Sequence, residues 1–149
     1  MRAVVQRVKE AGVTVKGVIK ERIGAGLLVF VGVEIGDKDS DIDLMADKLL
    51  GLRIFEDSEE KMNLSVMDKE GALLIVSQFT LLGDTRKGRR PSFNLAEKPE
   101  AALKTFDKLV SKLQESRLEI CTGEFQKMMD ISLINDGPVT ILIDSKKIF

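Results

Sequence analysis

Three short stretches carry most of the side chains that could do chemistry. They are SQFTL from Ser77 to Leu81, RKGRRPSF from Arg86 to Phe93, and NDGPVT from Asn135 to Thr140. SQFTL closes a strongly apolar run with two hydroxyls and an amide. It reads either as a strand end with capped backbone groups or as a strand-to-loop corner whose N–H groups face a pocket. In the second reading the amides of Phe79 and Thr80 form an oxyanion hole, in which one donor is worth ~10²–10³ in rate. Thr80 as a nucleophile would need a base to activate it, and the chain contains no histidine. Ser-His-Asp and Cys-His catalysis are thereby excluded. Trp and Tyr are absent as well. With no histidine and a single cysteine, Cys121, a zinc site and a disulfide framework both lack their ligands. Catalytic groups must come from carboxylates, lysines, hydroxyls, backbone amides or the substrate.

RKGRRPSF places four cations in five residues around Gly88. Such a run is either a solvated loop or a phosphate cradle, since arginine gives forked bonds to phosphate oxygens and glycine lets backbone approach. In NDGPVT, Asn135, Asp136 and Gly137 carry hairpin-turn chemistry. The proline after them is unusual, because it has no N–H for a ladder and restricts the residue before it. A rigid Gly-cis-Pro corner is the alternative to a plain turn. The acidic runs near Asp37–Asp43 and Glu56–Glu60 read as solvated faces or helix starts, Met128 and Met129 as core, and Cys121 as an inert small hydrophobe.

These stretches need a scaffold. Residues 2–8 and 12–23 alternate at period two and predict strands with tight turns at Ala11-Gly12 and near Gly17. GLLVFVGV reads as a buried strand. Ile42, Met45, Leu49 and Leu52 then fall on one helical face, with Gly51 as a stop. RIFED is a short strand, and ALLIVSQFTL the most apolar strand of the middle of the chain. A second helix spans 99–116, with Leu103, Phe106, Val110 and Leu113 as its stripe and Pro99 in its first turn. MMDISLINDGPVTILID gives two strands around the Gly-Pro pair. The expected fold is α/β: one layered domain over 1–149, β-rich, with two helices covering one side of a sheet. At 149 residues the chain can bury roughly 68–70% of its unfolded surface and build a core without staples. No run is long enough to span a membrane, no signal-peptide pattern opens the sequence, and cysteine usage suits a cytoplasmic protein. The formal net charge of −1 means that a nucleic-acid partner would have to be held by a local patch.

SQFTL, KGRRPSF and NDGPVT together resemble the D-aminoacyl-tRNA deacylase family. MRAVVQRV, GAGLLVFVGVE, LRIFEDSEEKMNLSV and the TGEF segment resemble it too, so the likeness covers essentially the whole chain in order. The resemblance implies a homodimer of three-layer β/β/α subunits with no cofactor and no metal. It implies hydrolysis of the ester joining a D-amino acid, or misattached glycine, to the terminal adenosine of tRNA, with L-aminoacyl-tRNA rejected. Ser77, Gln78, Phe79 and Thr80 would line the active pocket. Gly137 and Pro138 would form a cis pair inserted into the partner subunit's pocket, braced by Arg7. Phe125 and Met129 match pocket-lining positions, and Lys87, Arg89 and Arg90 would lie along the acceptor end of the tRNA. The implied chemistry relies on the RNA's own 2′-OH with protein amides; an older reading makes Thr80 the nucleophile, and both stay open here. One departure is visible: after Phe125 the family has two small residues and an acid, where this chain has Gln126, Lys127 and Met128. A non-catalytic RNA-binding module using RKGRR, or a structural dimer without activity, are the competing classes.

Overall fold

A computed structural model describes residues 1–148 of the chain. The valine-rich N-terminus builds β1, one unbroken strand over Arg2–Val15. The expected turn at Ala11-Gly12 is absent. Ala11 is paired on one side to Ile23 and on the other to Leu133, so the ladder on both edges holds it extended. The chain reverses instead at Lys16 and Gly17, both with positive φ (51° and 78°), the conformation that suits a two-residue hairpin. β2 (Val18–Ile23) returns along the far half of β1, and β3 (Gly26–Gly32) along its near half.

β3 then pairs in parallel with β6 (Ala72–Ser77), and β6 in parallel with β7 (Ile120–Thr122). Parallel pairs need long crossovers. The first contains α1 (Asp39–Gly51) and a small hairpin of β4 (Phe55–Glu56) with β5 (Met62–Leu64); the second contains a short 3-10 turn (Phe79–Leu82) and α2 (Pro99–Gln114). β8 (Asp130–Asp144) lies on the remaining edge of β1, so the sheet runs β8-β1-β3-β6-β7 with β2 continuing beside β3 along β1.

Both faces of the central strands are buried because consecutive side chains point to opposite sides. Leu27, Val29, Val31, Leu73 and Ile75 face the helices and pack with Ile42, Met45, Leu49, Phe106, Leu109 and Leu113. Leu28, Leu74 and Val76 face the other way, onto Val13, Val15 and Ile23 of the curled β1–β2 arm. Helices, central sheet and curled arm give the layered, sheet-rich α/β fold with two helices that the sequence implies. Three details differ. Leu52 caps α1 by donating its N–H to the Lys48 carbonyl, and Ala46 takes the buried place expected for it. On α2 the buried row is Phe106, Leu109 and Leu113, whereas Leu103 is exposed and Val110 only partly covered, because the row facing the strands is offset from the seven-residue row read from sequence. The third concerns β8. Asn135–Thr140 is not a hairpin between two strands: β8 runs through it and pairs with β1 on both sides.

Candidate active site

β6 delivers SQFTL to the end of the central sheet. The Gln78 N–H still donates to the Val31 carbonyl at 2.7 Å, and the chain then coils into the Phe79–Leu82 turn. Gly32 makes this possible, since a Cβ there would meet Leu82 Cδ2 at 2.4 Å and the Gln78 carbonyl at 3.0 Å. The first bond of the turn is Leu81 N–H to the Gln78 carbonyl, 3.3 Å. The amides of Phe79 and Thr80 precede it and have no partner within the turn, as at any helix start. The Gln78 side-chain amide donates to the Thr80 hydroxyl oxygen.

Beside this corner opens a cavity of about 800 Å³ lined by Ser77, Gln78, Phe79 and Thr80 on one side and Phe125 and Met129 on another. All six were singled out from sequence. Phe125 is held from behind by Phe106 (ring centroids 6.2 Å apart), which ties the wall to α2. Gln126, Lys127 and Met128, the segment that departs from the family pattern beside Phe125, line it as well, and among the lining residues that were not foreseen are Phe93 and Lys98. Phe93 stands edge-on to Phe79, 5.1 Å between centroids, although it belongs to a stretch that reads as a basic loop. Met128 is not core: it is 91% exposed at the cavity wall, since the Glu124–Lys127 turn ahead of it lifts the chain off the sheet. Pro99, which marks the start of α2, was the one sequence signal that placed a helix end here.

Gly137, Pro138 and Arg7 gather at a second place, away from this cavity. Between the β1–β8 pairs Gln6–Thr140 and Val8–Asn135, residues 136–139 bulge out of the ladder opposite Arg7. The Gly137–Pro138 bond is cis, and both residues are exposed. Only Gly137 within NDGPVT has a positive φ, 120°, so the turn chemistry of Asn135 and Asp136 is not used as such. Asn135 instead clamps the neck, its Oδ1 accepting the Val139 N–H at 2.8 Å and its Nδ2 donating to Thr140 Oγ1 at 3.3 Å. Arg7 is buried beneath. It donates to the Ile54 carbonyl (2.6 Å) and the Asp136 carbonyl (3.2 Å), pairs with the Asp136 carboxylate (3.2 Å), and lies over the Phe55 ring. An arginine is suited to this because its planar fork serves several acceptors at once.

The basic loop is pinched at its neck by the reciprocal backbone bonds of Asp84 and Ser92. Arg86 folds back onto Asp84 with two bonds (2.9 and 2.7 Å), and this contact holds the Asp84 carboxyl well below the usual carboxylate range. One of the four cations is therefore spent inside the loop. Lys87, Arg89 and Arg90 are exposed, and none forms an ion pair among the described residues. They do not line the cavity. Cys121 is partly buried, and burial, with Glu21 and Glu119 nearby, pushes its thiol up to about 12. Among the described residues no group of three or more His, Cys, Asp or Glu side chains converges to hold a metal. No described helix is long and apolar enough to cross a membrane.

A sequence model of the D-Tyr-tRNA(Tyr) deacylase family matches residues 4–144. The chain belongs to that family. Its members include D-aminoacyl-tRNA deacylases of Halothermothrix orenii (58% identical) and of Thermoanaerobacter sp. strain X514 (56% identical), each aligned over the full length of both chains. Among solved structures, one titled c-Myc DNA Unwinding Element Binding Protein superposes with a TM-score of 0.92 at 41% identity, covering 97% of this chain and 98% of that one. A probable eukaryotic D-amino acid tRNA deacylase shares the fold with a TM-score of 0.79 at 20% identity, covering 95% and 97%. The family is one of hydrolases acting on aminoacyl-tRNA esters.

Proposed function

We propose that this protein hydrolyses the ester linking a D-amino acid, or misattached glycine, to the 3′-terminal adenosine of tRNA, and spares the L form. The observation that carries the reading is the SQFTL corner, where two amides without partners in their turn stand at the wall of an apolar-sided cavity. The ester carbonyl enters with its oxygen toward the Phe79 and Thr80 amides. Water adds to the carbonyl carbon, negative charge develops on that oxygen, and the amides stabilise it without having to reorganise. The substrate's 2′-OH assists the attack, and the ribose 3′-oxygen leaves with a proton. Thr80, bound by the Gln78 amide, positions substrate; no histidine exists to make it a nucleophile. No metal or cofactor takes part.

Chirality is read in a homodimer. The exposed Gly137–Pro138 corner lies on edge strand β8 beside exposed Ile134 and Leu142, away from its own cavity, which supports its entry into a partner's cavity. There its carbonyls hold the substrate amino group, and its backbone occupies the space an L side chain needs. Rigid exclusion is needed because methylene-scale contacts discriminate by only ~1–3 kcal/mol. Lys87, Arg89 and Arg90 face the acceptor end of the tRNA. The protein acts in the cytoplasm, where charged tRNA is.

Purified protein in the presence of a chelator should release D-tyrosine from D-tyrosyl-tRNA and leave L-tyrosyl-tRNA intact. Thr80→Ala should keep substantial activity, and a substrate lacking the terminal 2′-OH should lose it. Complete loss in Thr80→Ala with the fold intact would restore the nucleophile reading. One solved relative's title names binding to a DNA element, which favours the competing reading of a nucleic-acid-binding module; salt-sensitive tRNA binding with no release of amino acid would establish it.

A further inference from the structure

Two lysines of the cavity wall have no part in the chemistry just described. Lys98 immediately precedes the first turn of α2, and Lys127 closes the turn after Phe125. Both are exposed, and neither is ion-paired among the described residues, whereas Lys20, Lys104, Lys108 and Lys112 all are. The nearest acid in sequence, Glu97, directs its carboxylate to the backbone N–H of Lys98 at 2.8 Å. Lys127 is presented by an anchored turn: its N–H bonds the Glu124 carbonyl at 3.3 Å, and the Glu124 carboxylate is tied to Lys20 of β2 at 3.2 Å. Within that turn Gln126 is held at φ 58°, a conformation that L residues adopt reluctantly. Two cations without an ion-pair partner among the described residues thus stand on the wall of the cavity that Phe79 and Thr80 also line.

The substrate's chemistry supplies an anion at the matching place. The ester to be cut sits on the ribose of the terminal adenosine, and the same ribose carries a phosphodiester on its 5′ oxygen. That phosphodiester is joined to the same sugar as the ester, so an ester carbonyl held at the Phe79 and Thr80 amides brings it to the walls of the same cavity. We propose that Lys127, supported by Lys98, binds the phosphodiester on the 5′ side of the terminal adenosine. This assigns to the Gln126-Lys127-Met128 segment a role in gripping the RNA end, and it rests on the deacylase reading above.

The test compares D-tyrosyl-tRNA with D-tyrosyl-adenosine, an ester of the same nucleoside without phosphate. Lys127→Ala should raise KM for the tRNA ester by about tenfold, the loss of one charge-assisted contact, with kcat little changed. It should leave kcat/KM for D-tyrosyl-adenosine unaltered, and Lys127→Arg should restore the tRNA value. The slope of log KM against log salt should fall by about 0.7, one phosphate contact to a single strand; Lys98→Ala with Lys127→Ala should lower it further. An equal effect on both esters, or an unchanged KM and salt slope for the tRNA ester, overturns the proposal. If the unmodified protein hydrolyses neither ester, the deacylase reading itself fails, which is a different result.

Discussion

Replacing Gly137 by alanine perturbs the proposed selectivity corner at its tightest point. A Cβ there would lie 2.8 Å from Val139 Cγ2 and 2.9 Å from Arg7 Nη2, both closer than real Cβ contacts. Neither neighbour can give way easily. Val139 is buried with its N–H held by Asn135, and Arg7 is fixed by the Ile54 and Asp136 carbonyls. The backbone adds a second penalty, because φ of 120° is a region used almost only by glycine, at about 1–3 kcal/mol for other residues. Overpacking costs a further ~1–3 kcal/mol if nothing moves. The chain can escape part of this by shifting the exposed corner, so the expected loss of stability is about 2–4 kcal/mol, or a fall in Tm of roughly 5–15 °C. The same shift moves the carbonyls proposed to hold the substrate amine. Urea unfolding measures the first effect; release of D- and L-tyrosine from charged tRNA measures the second. Gly137→Ala should unfold earlier and lose D-tyrosyl-tRNA turnover, discrimination against the L form, or both. Stability and D/L ratio both at the level of the parent protein would refute the reasoning.

Arg7→Lys keeps the charge but replaces a fork by one ammonium, so it cannot serve Ile54 and Asp136 together; we expect a loss of about 2 kcal/mol in urea unfolding and weaker rejection of L-tyrosyl-tRNA, and an unchanged D/L ratio would remove Arg7 from the selectivity mechanism. Cys121, pushed from 9.0 to about 12, should react with a disulfide reagent at pH 8.5 roughly 10³ times more slowly in the folded protein than in urea, since each pKa unit costs about tenfold in thiolate. The ratio should shrink as pH rises toward 12, where the folded thiol ionises; comparable rates in both states at pH 8.5 would show the thiol to be unperturbed. Gln126→Gly relieves the positive φ and should stabilise the fold by up to about 1 kcal/mol in the same unfolding assay, and a destabilised variant would mean that the Gln126 side chain makes a contact that matters.

The strands β3 and β6 were legible because they run apolar on consecutive residues, β6 as far as Val76, which only burial on both faces explains. The SQFTL corner was legible because hydroxyls and an amide abruptly end such a run. The turns were less so. Ala11-Gly12 looks like a reversal and NDGPVT like a hairpin when each is read alone. Turn propensity amounts to little beside a ladder bonded on both edges, and β1 and β8 hold each other extended through both places.

By itself, then, the sequence determined what the protein lacks and which groups are left. Without histidine, and with one cysteine, catalysis was left to carboxylates, lysines, hydroxyls, backbone amides or the substrate, and the SQFTL and NDGPVT segments carried the family likeness. Only the tertiary structure decided where these groups stand. It joined Phe125 and Met129 to the SQFTL corner, set Arg7 and Asn135 as brace and clamp of the Gly137–Pro138 bulge, withdrew Arg86 from the basic loop, and turned Lys127 and Met128 to the cavity wall. Composition and local spacing reach only a few residues along the chain, whereas these contacts join positions up to 129 residues apart and exist only once the sheet has curled and its crossovers have closed.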